Sequence, residues 1–265
     1  MKKRLAVLNL LSVLLVIGVN YFSQVYRFND TTIGEVSDRY TNLFTPAGYA
    51  FAIWGLIFLS LSGYVIFQIN RVFFSKKKSD FIEQTGYWFM LANLLNTCWV
   101  LAFIYEYTGT SVLIMLGLLF SLIQIIIRTN MERWDAPISI IALVWWPICL
   151  YSGWIAVATI TNISAYLVKI NWKGFGITEE LWTLIMIMIA VMLNVFMIIH
   201  RNMREFALVG IWALVAIYVR HQNAYQIIAL TALAGAIILF ISVGIHGYIY
   251  RRTNPGVKLK ERIDS

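Results

Sequence analysis

Apolar runs of the length that crosses a bilayer recur down the whole chain, over 5–24, 47–70, 86–105, 111–127, 137–168, 181–199, 206–219 and 224–250. A hydrocarbon core of about 30 Å takes about 20 helical residues per crossing, and a helix satisfies its own backbone amides where no water can. Composition agrees. With 60% hydrophobic and 13% charged residues in 265, the chain holds more apolar surface than a soluble core of its size could bury. The expectation is an all-α polytopic membrane bundle of eight transmembrane helices. The first run follows MKKR as a secretory leader does, but it is long and no small-residue cleavage site follows, so it reads as a retained helix.

Basic residues orient the bundle, because cytoplasmic loops retain them. With the amino terminus inside, only Arg27, Arg39, Lys169, Lys173 and Arg220 of the 21 Lys and Arg fall outside. Both termini are therefore expected in the cytoplasm. The short run 206–219 must also cross, or the basic carboxyl terminus would end on the wrong side. The net charge of +8 is then accounted for by anionic lipid at the cytoplasmic edge, and nucleic acid is not an expected partner. Cys98 and Cys149 both lie inside runs and read as small buried hydrophobes, without disulfide or metal-ligand spacing.

The chemistry missing from the spans is informative. All 13 acidic residues fall in loops or at helix ends, which weakens a proton- or cation-coupled transporter. His200 and His221 sit at span ends, and His246 near one. No phosphate loop, GxSxG or paired-histidine motif is present, and neither a metal nor a cofactor is expected.

Tryptophan and asparagine carry what remains. Trp88, Trp134, Trp172 and Trp182 suit an aromatic belt at headgroup level, whereas Trp54, Trp99, Trp146 and Trp154 lie well inside their runs. Asn93, Asn96 and Asn162 cannot comfortably face hydrocarbon, since an unpaired amide there costs a few kcal/mol. Asn96 and Trp99 are three apart on one helix face, and Trp154, Ala158 and Asn162 follow at helical spacing on another. Two helices thus each offer an indole and an amide, which suits tight packing or a pocket for a flat aromatic ligand. Spacing does not choose between them.

The motifs TPAG with IWGLIF, NLLNTCWVLAF and WPICLYSGWIAVATITN resemble, in order and approximate spacing, the TspO/MBR family of translocator, or tryptophan-rich sensory, proteins. Thr45, Pro46, Gly48 and Trp54 occupy the places of its pocket loop and second-helix Trp. Asn96 and Trp99, then Trp154, Ala158 and Asn162, occupy those of its third and fifth helices. The resemblance covers residues 1–172 and implies a five-helix ligand-binding bundle there, with Pro46 and Gly48 fixing the turn of a loop over the pocket mouth. Its candidate binding residues are Pro46, Gly48, Tyr49, Trp54, Asn96, Trp99, Trp146, Trp154, Ala158 and Asn162. Porphyrin or another flat lipophilic molecule is the implied ligand, and the implied role is to sense, bind or move it. Some members are associated with light- and oxygen-dependent porphyrin breakdown, which would make Trp54 and Trp154 catalytic. A bacterial cytoplasmic membrane is the implied location.

The sequence departs from the pattern as well. The double proline of the family is Pro46-Ala47 here, Gly48 to Trp54 is one residue shorter, and Pro147 stands a turn early. The steroid-recognition pattern fails around Tyr166 and Lys169. The three helices of 173–252 have no counterpart in the five-helix fold, and a basic tail of 253–265 follows. They could replace the family's dimer contact, with Ala232, Gly235, Gly244 and Gly247 allowing close packing. A homodimer stays open as an alternative.

Overall fold

The computed structural model describes residues 1–251 and Val257, so the tail expected over 253–265 lies, that residue apart, outside the described part. Helices α1 (Lys2–Val25), α2 (Gly48–Phe74), α3 (Trp88–Ile104), α4 (Thr108–Arg128), α5 (Ile138–Lys169), α6 (Glu179–Arg201), α7 (Arg204–His221) and α8 (Gln226–Ile249) form its body, and no strand occurs among the described residues. Six of them, all but α3 and α7, are long and apolar enough to cross a membrane. Helix α3 is shorter, with 17 residues, and α7 has 18 that include Arg204, Glu205 and Arg220.

Helix α1 packs on α2 and α3, α3 on α4, and α4 and α2 on α5, which closes a five-helix ring. Helix α7 docks on α5 from outside the ring, and α6 and α8 pack on α7 and on each other. Helix α5 is therefore the shared spine. Of its most apolar 18-residue stretch 72% is buried, against 28% for α6. The approach of α7 to α5 rests on Gly153, where an added Cβ would stand 2.9 Å from the Phe206 carbonyl oxygen. Of the small residues expected to do this work within the last three helices, Ala232 is fully buried and Gly235 lies against Val191. Gly244 faces open space.

The outside of the bundle is apolar and its polar groups point inward, the distribution that hydrocarbon imposes. Leu11, Leu14 and Leu15 are exposed on α1, while Asn9, Ser12 and Asn20 of the same helix are buried. Asn9 Nδ2 donates to Gln68 Oε1 at 2.9 Å and Asn93 Nδ2 to Ser12 Oγ at 3.1 Å, so these amides join α1 to α2 and α3. One expectation is corrected here. Cys149 is buried but Cys98 is exposed, because it falls on the outer face of α3, opposite the side that presents Asn93 and Asn96 inward.

Two ends can be told apart. At the end that carries the amino terminus, Lys2 pairs with Asp80 at 2.8 Å and Arg133 donates to the His200 carbonyl at 2.6 Å. At the other, Arg39 pairs with Glu106, and Glu179 accepts from the Leu43 amide at 3.0 Å. The loop between α1 and α2 lies at this second end.

Candidate ligand pocket

The loop is built by short-range chemistry. Thr32 and Glu35 form a reciprocal capping box that starts a short helix, Ile33–Arg39. Arg27 reaches Glu35 at 2.8 Å and holds that carboxyl below its ordinary range. Beyond it, Thr45 to Gly48 pass over the head of α2, which opens with a 3-10 turn at Gly48–Ala52. Helix α7 clamps this segment. Arg220 Nη1 donates to the Pro46 carbonyl at 3.1 Å, the Ala47 amide to the Ala216 carbonyl at 3.1 Å, and Trp212 Nε1 to the Ala50 carbonyl at 3.1 Å. Gly48 does not fix the turn as expected: its φ is not positive and a Cβ there would meet open space. What its missing side chain does is leave room in the cleft beneath.

That cleft, about 460 Å³, runs between α1, the short helix and the head of α2, and is lined by Asn20, Tyr21, Pro46, Gly48, Trp54 and Arg220 among others. Behind it, deeper in the ring, is a cavity of only about 30 Å³ bounded by Trp54, Trp99, Trp154, Ala158 and Asn162. Phe51, Trp54, Pro46, Ser37 and Ile33 border both spaces and form the wall between them. Trp54 stacks on Phe58 at 5.2 Å and meets Trp154 edge-on at 6.4 Å, and Phe51 also stands edge-on to Trp154 at 6.0 Å. The stripe of Trp154, Ala158 and Asn162, which spacing put on one helix face, and the indole of Trp99 border one small space.

The amides support the rings. Trp99 stacks on Phe103 at 5.3 Å and donates from Nε1 to Asn162 Oδ1 at 3.4 Å, while Asn162 Nδ2 donates to Ser111 Oγ at 3.1 Å. Asn96 lies behind the cavity: fully buried, it donates to the Tyr151 hydroxyl at 2.8 Å, and Tyr151 in turn stands edge-on to Trp54 at 6.2 Å. Its other amide atom, Oδ1, is buried without a partner.

Two expected residues stand elsewhere. Tyr49 is half-exposed and packs edge-on against Trp212 at 5.3 Å. Trp146 is eight residues before Trp154 on α5, about 12 Å along the axis at 1.5 Å per residue, and lies beside Glu205 at the amino-terminal end of the bundle. The sequence reading missed Phe51, Phe103, Ser111 and Arg220. Ser111, a hydroxyl at the head of an apolar run, gave a local signal, whereas Arg220 gave none, since it meets the loop across more than 170 residues.

An integral, multi-pass helical membrane protein, with an indole-lined and amide-backed pocket under a clamped loop, is the class that fold and site define. The chain belongs to the TSPO-like family, whose model, described as TSPO-like protein, matches residues 6–245. The match runs on through α6, α7 and most of α8, so these helices fall inside the family's extent although the five-helix pattern had no place for them. No curated protein and no solved structure matches the chain.

Proposed function

We propose that this protein binds a flat lipophilic ligand, a tetrapyrrole such as protoporphyrin first among them, within the membrane beneath the Pro46 loop, as a receptor or translocator. The observation that carries the reading is the pair of adjoining spaces separated by Phe51 and Trp54. A planar π-system entering through the cleft and displacing that wall gains burial, stacking of about 0.5–1.5 kcal/mol per aromatic pair, and hydrogen bonds from Asn162. In this reading all eight helices cross, both termini are cytoplasmic, the membrane is the bacterial cytoplasmic one, and residues 1–172 hold the ligand while 173–252 brace its loop.

Titration of the purified protein with a panel of porphyrins and steroids, read by tryptophan fluorescence, tests it. Saturable quenching by a porphyrin, weakened in Trp54→Ala and Trp154→Ala, is expected. Absence of quenching by the whole panel, or quenching unchanged in both variants, defeats it.

The 6.4 Å edge-on approach of Trp54 to Trp154 favours a second reading, light- and oxygen-dependent porphyrin breakdown, because two redox-active indoles stand together in the cavity. Product formation under illumination separates it from binding alone, and flux into proteoliposomes separates both from transport.

A further inference from the structure

Far from the loop, at the end that carries the amino terminus, the α4–α5 connection, α5, α7 and α8 converge on buried ligating groups. Glu132 of the connection, Cys149 of α5 and Glu205 of the first turn of α7 place a carboxylate oxygen, a thiol sulfur and a second carboxylate oxygen within 4.8 Å of one another. Glu132 Oε1 and Glu205 Oε2 are buried without a well-formed hydrogen bond, although the Trp146 indole N–H stands beside the Glu205 carboxyl, and Cys149 is fully buried with Met131 Sδ at 4.0 Å. Leaving such oxygens without a hydrogen bond is expensive, and Arg204, which acts on both carboxyls, offsets only part of that cost.

An independent observation comes from α8. His246 is 7% exposed and lines, with both glutamates, a cavity of about 260 Å³. Asn202, in the left-handed position that ends α6, donates from Nδ2 to the Glu132 carbonyl at 2.8 Å, which fixes its Oδ1 as the acceptor facing His246 Nε2 at 3.2 Å. The imidazole must then carry its proton on Nε2. Its Nδ1, buried and unpartnered, presents a lone pair. An imidazole with one nitrogen held by an amide oxygen and the other bare is oriented as metal-ligating histidines are.

We propose that Glu132, Cys149 and Glu205, with His246 Nδ1, form a binding site for a divalent transition metal, zinc in the first place. One thiolate, carboxylates and an imidazole suit a borderline cation, whereas magnesium or calcium would want oxygen alone. Ligand bonds of 2.0–2.3 Å put donors at most about 4.5 Å apart across the ion, and closer in a tetrahedron, so the three clustered groups must draw in by about 1 Å and His246, which lies outside that cluster, must approach from the cavity side. Arg204 also lines the cavity and acts on both carboxyls, and Arg201 lies close enough to act on Cys149, but a thiolate and two carboxylates outweigh the two guanidiniums. Binding displaces to solvent the thiol proton and the protons that burial keeps on the two carboxyls. The ion would tie the five-helix ring to α7 and α8 at the end opposite the Arg220 clamp.

The test uses the purified full-length chain, stripped with chelator and titrated with Co²⁺ as a spectroscopic stand-in for zinc. The expected result is a thiolate-to-cobalt charge-transfer band in the near ultraviolet, displaced by Zn²⁺ and kept in Cys98→Ser. Cys149→Ser should lose it, while Glu132→Gln and Glu205→Gln, which keep side-chain shape, should each bind about tenfold more weakly or worse. Size exclusion and helical circular dichroism establish that each variant is folded. No band in the unaltered chain overturns the proposal, as does a band that follows Cys98 rather than Cys149 or is indifferent to both glutamine variants. Should Cys149→Ser fail to fold, the unaltered chain, Cys98→Ser and the glutamine pair still decide.

Discussion

At the scale of single residues, Trp154 is the wall against which a planar ligand would rest, 2% exposed between Phe51, Trp54 and the small Ala158. Trp154→Phe keeps a ring, and Trp154→Ala removes the platform. Under the binding function the Phe variant should retain most porphyrin affinity, and the Ala variant should lose about 1–3 kcal/mol, roughly 5- to 150-fold in Kd by quenching titration. Under the photochemical function Phe should bind normally yet stop breakdown under light. Unchanged binding and photochemistry in a folded Ala variant would make Trp154 a packing residue. Glu35 permits a second prediction, on pH. Its carboxyl, held below its ordinary 4.5 chiefly by Arg27, supports the 33–39 helix while ionised. That support is complete above pH 4.5 and is lost as pH falls through the lowered value. Glu35→Gln should therefore leave the 33–39 amides less protected from hydrogen exchange near pH 6, and the difference from the unaltered chain should close in acid. A difference that widens in acid would contradict the pairing. Which of these residues the sequence disclosed has a physical logic. Trp154, Ala158 and Asn162 share one helix, so their spacing already put them on one face. The contact of Asn96 with Tyr151, rather than with the cavity, depends on how α3 rotates against α5, which no spacing within α3 encodes.

At the scale of elements, the contact between α5 and α7 decides whether the last three helices are part of the pocket's machinery. Gly153 sits where the Phe206 backbone passes, and a methyl group there would also meet Val209 Cβ at 3.1 Å. Gly153→Ala should cost about 1–3 kcal/mol through overpacking, read as a lowered thermal midpoint in detergent. It should also loosen the Arg220 and Ala216 contacts with Pro46 and Ala47, raising hydrogen exchange over 45–52. A midpoint unchanged within error would mean that α7 can shift freely on α5. The runs of apolar residues disclosed the eight long helices to within a few residues, because hydrocarbon leaves the backbone no alternative, whereas the short helix Ile33–Arg39 left no apolar run. The partners of α7 were not legible, since an apolar helix looks the same facing lipid or facing α5. Only the small residue opposite it differs, and Gly153 lies in a helix already rich in small residues.

At the scale of the whole molecule, the issue is whether α7, with three charges in 18 residues, spans the membrane. Cysteine reporters in a background lacking Cys98, with Cys149 buried out of reach of the label, should settle it. Asp30→Cys, Phe175→Cys and Asn223→Cys should label from one side, and Lys77→Cys from the other. Asn223→Cys labelling with Lys77→Cys would break the eight-span arrangement, because α6 and α7 together must return the chain to the side it left.

The wall of Phe51 and Trp54 has a thermodynamic consequence for any ligand. A space of about 30 Å³ is about the share of liquid volume that one water takes, far below the several hundred Å³ of a small-molecule site. Under the proposed function, the conformation described is then the closed partner of an equilibrium whose open partner would do the binding. Measured affinity equals intrinsic affinity multiplied by the open fraction, so an occupant favours opening only by as much as it prefers the open form. Because Arg220 and Ala216 hold the loop above that wall, the strength of the α7 clamp enters the same product. Residues outside the deep cavity would therefore set how much of a ligand's binding energy is spent before any is seen.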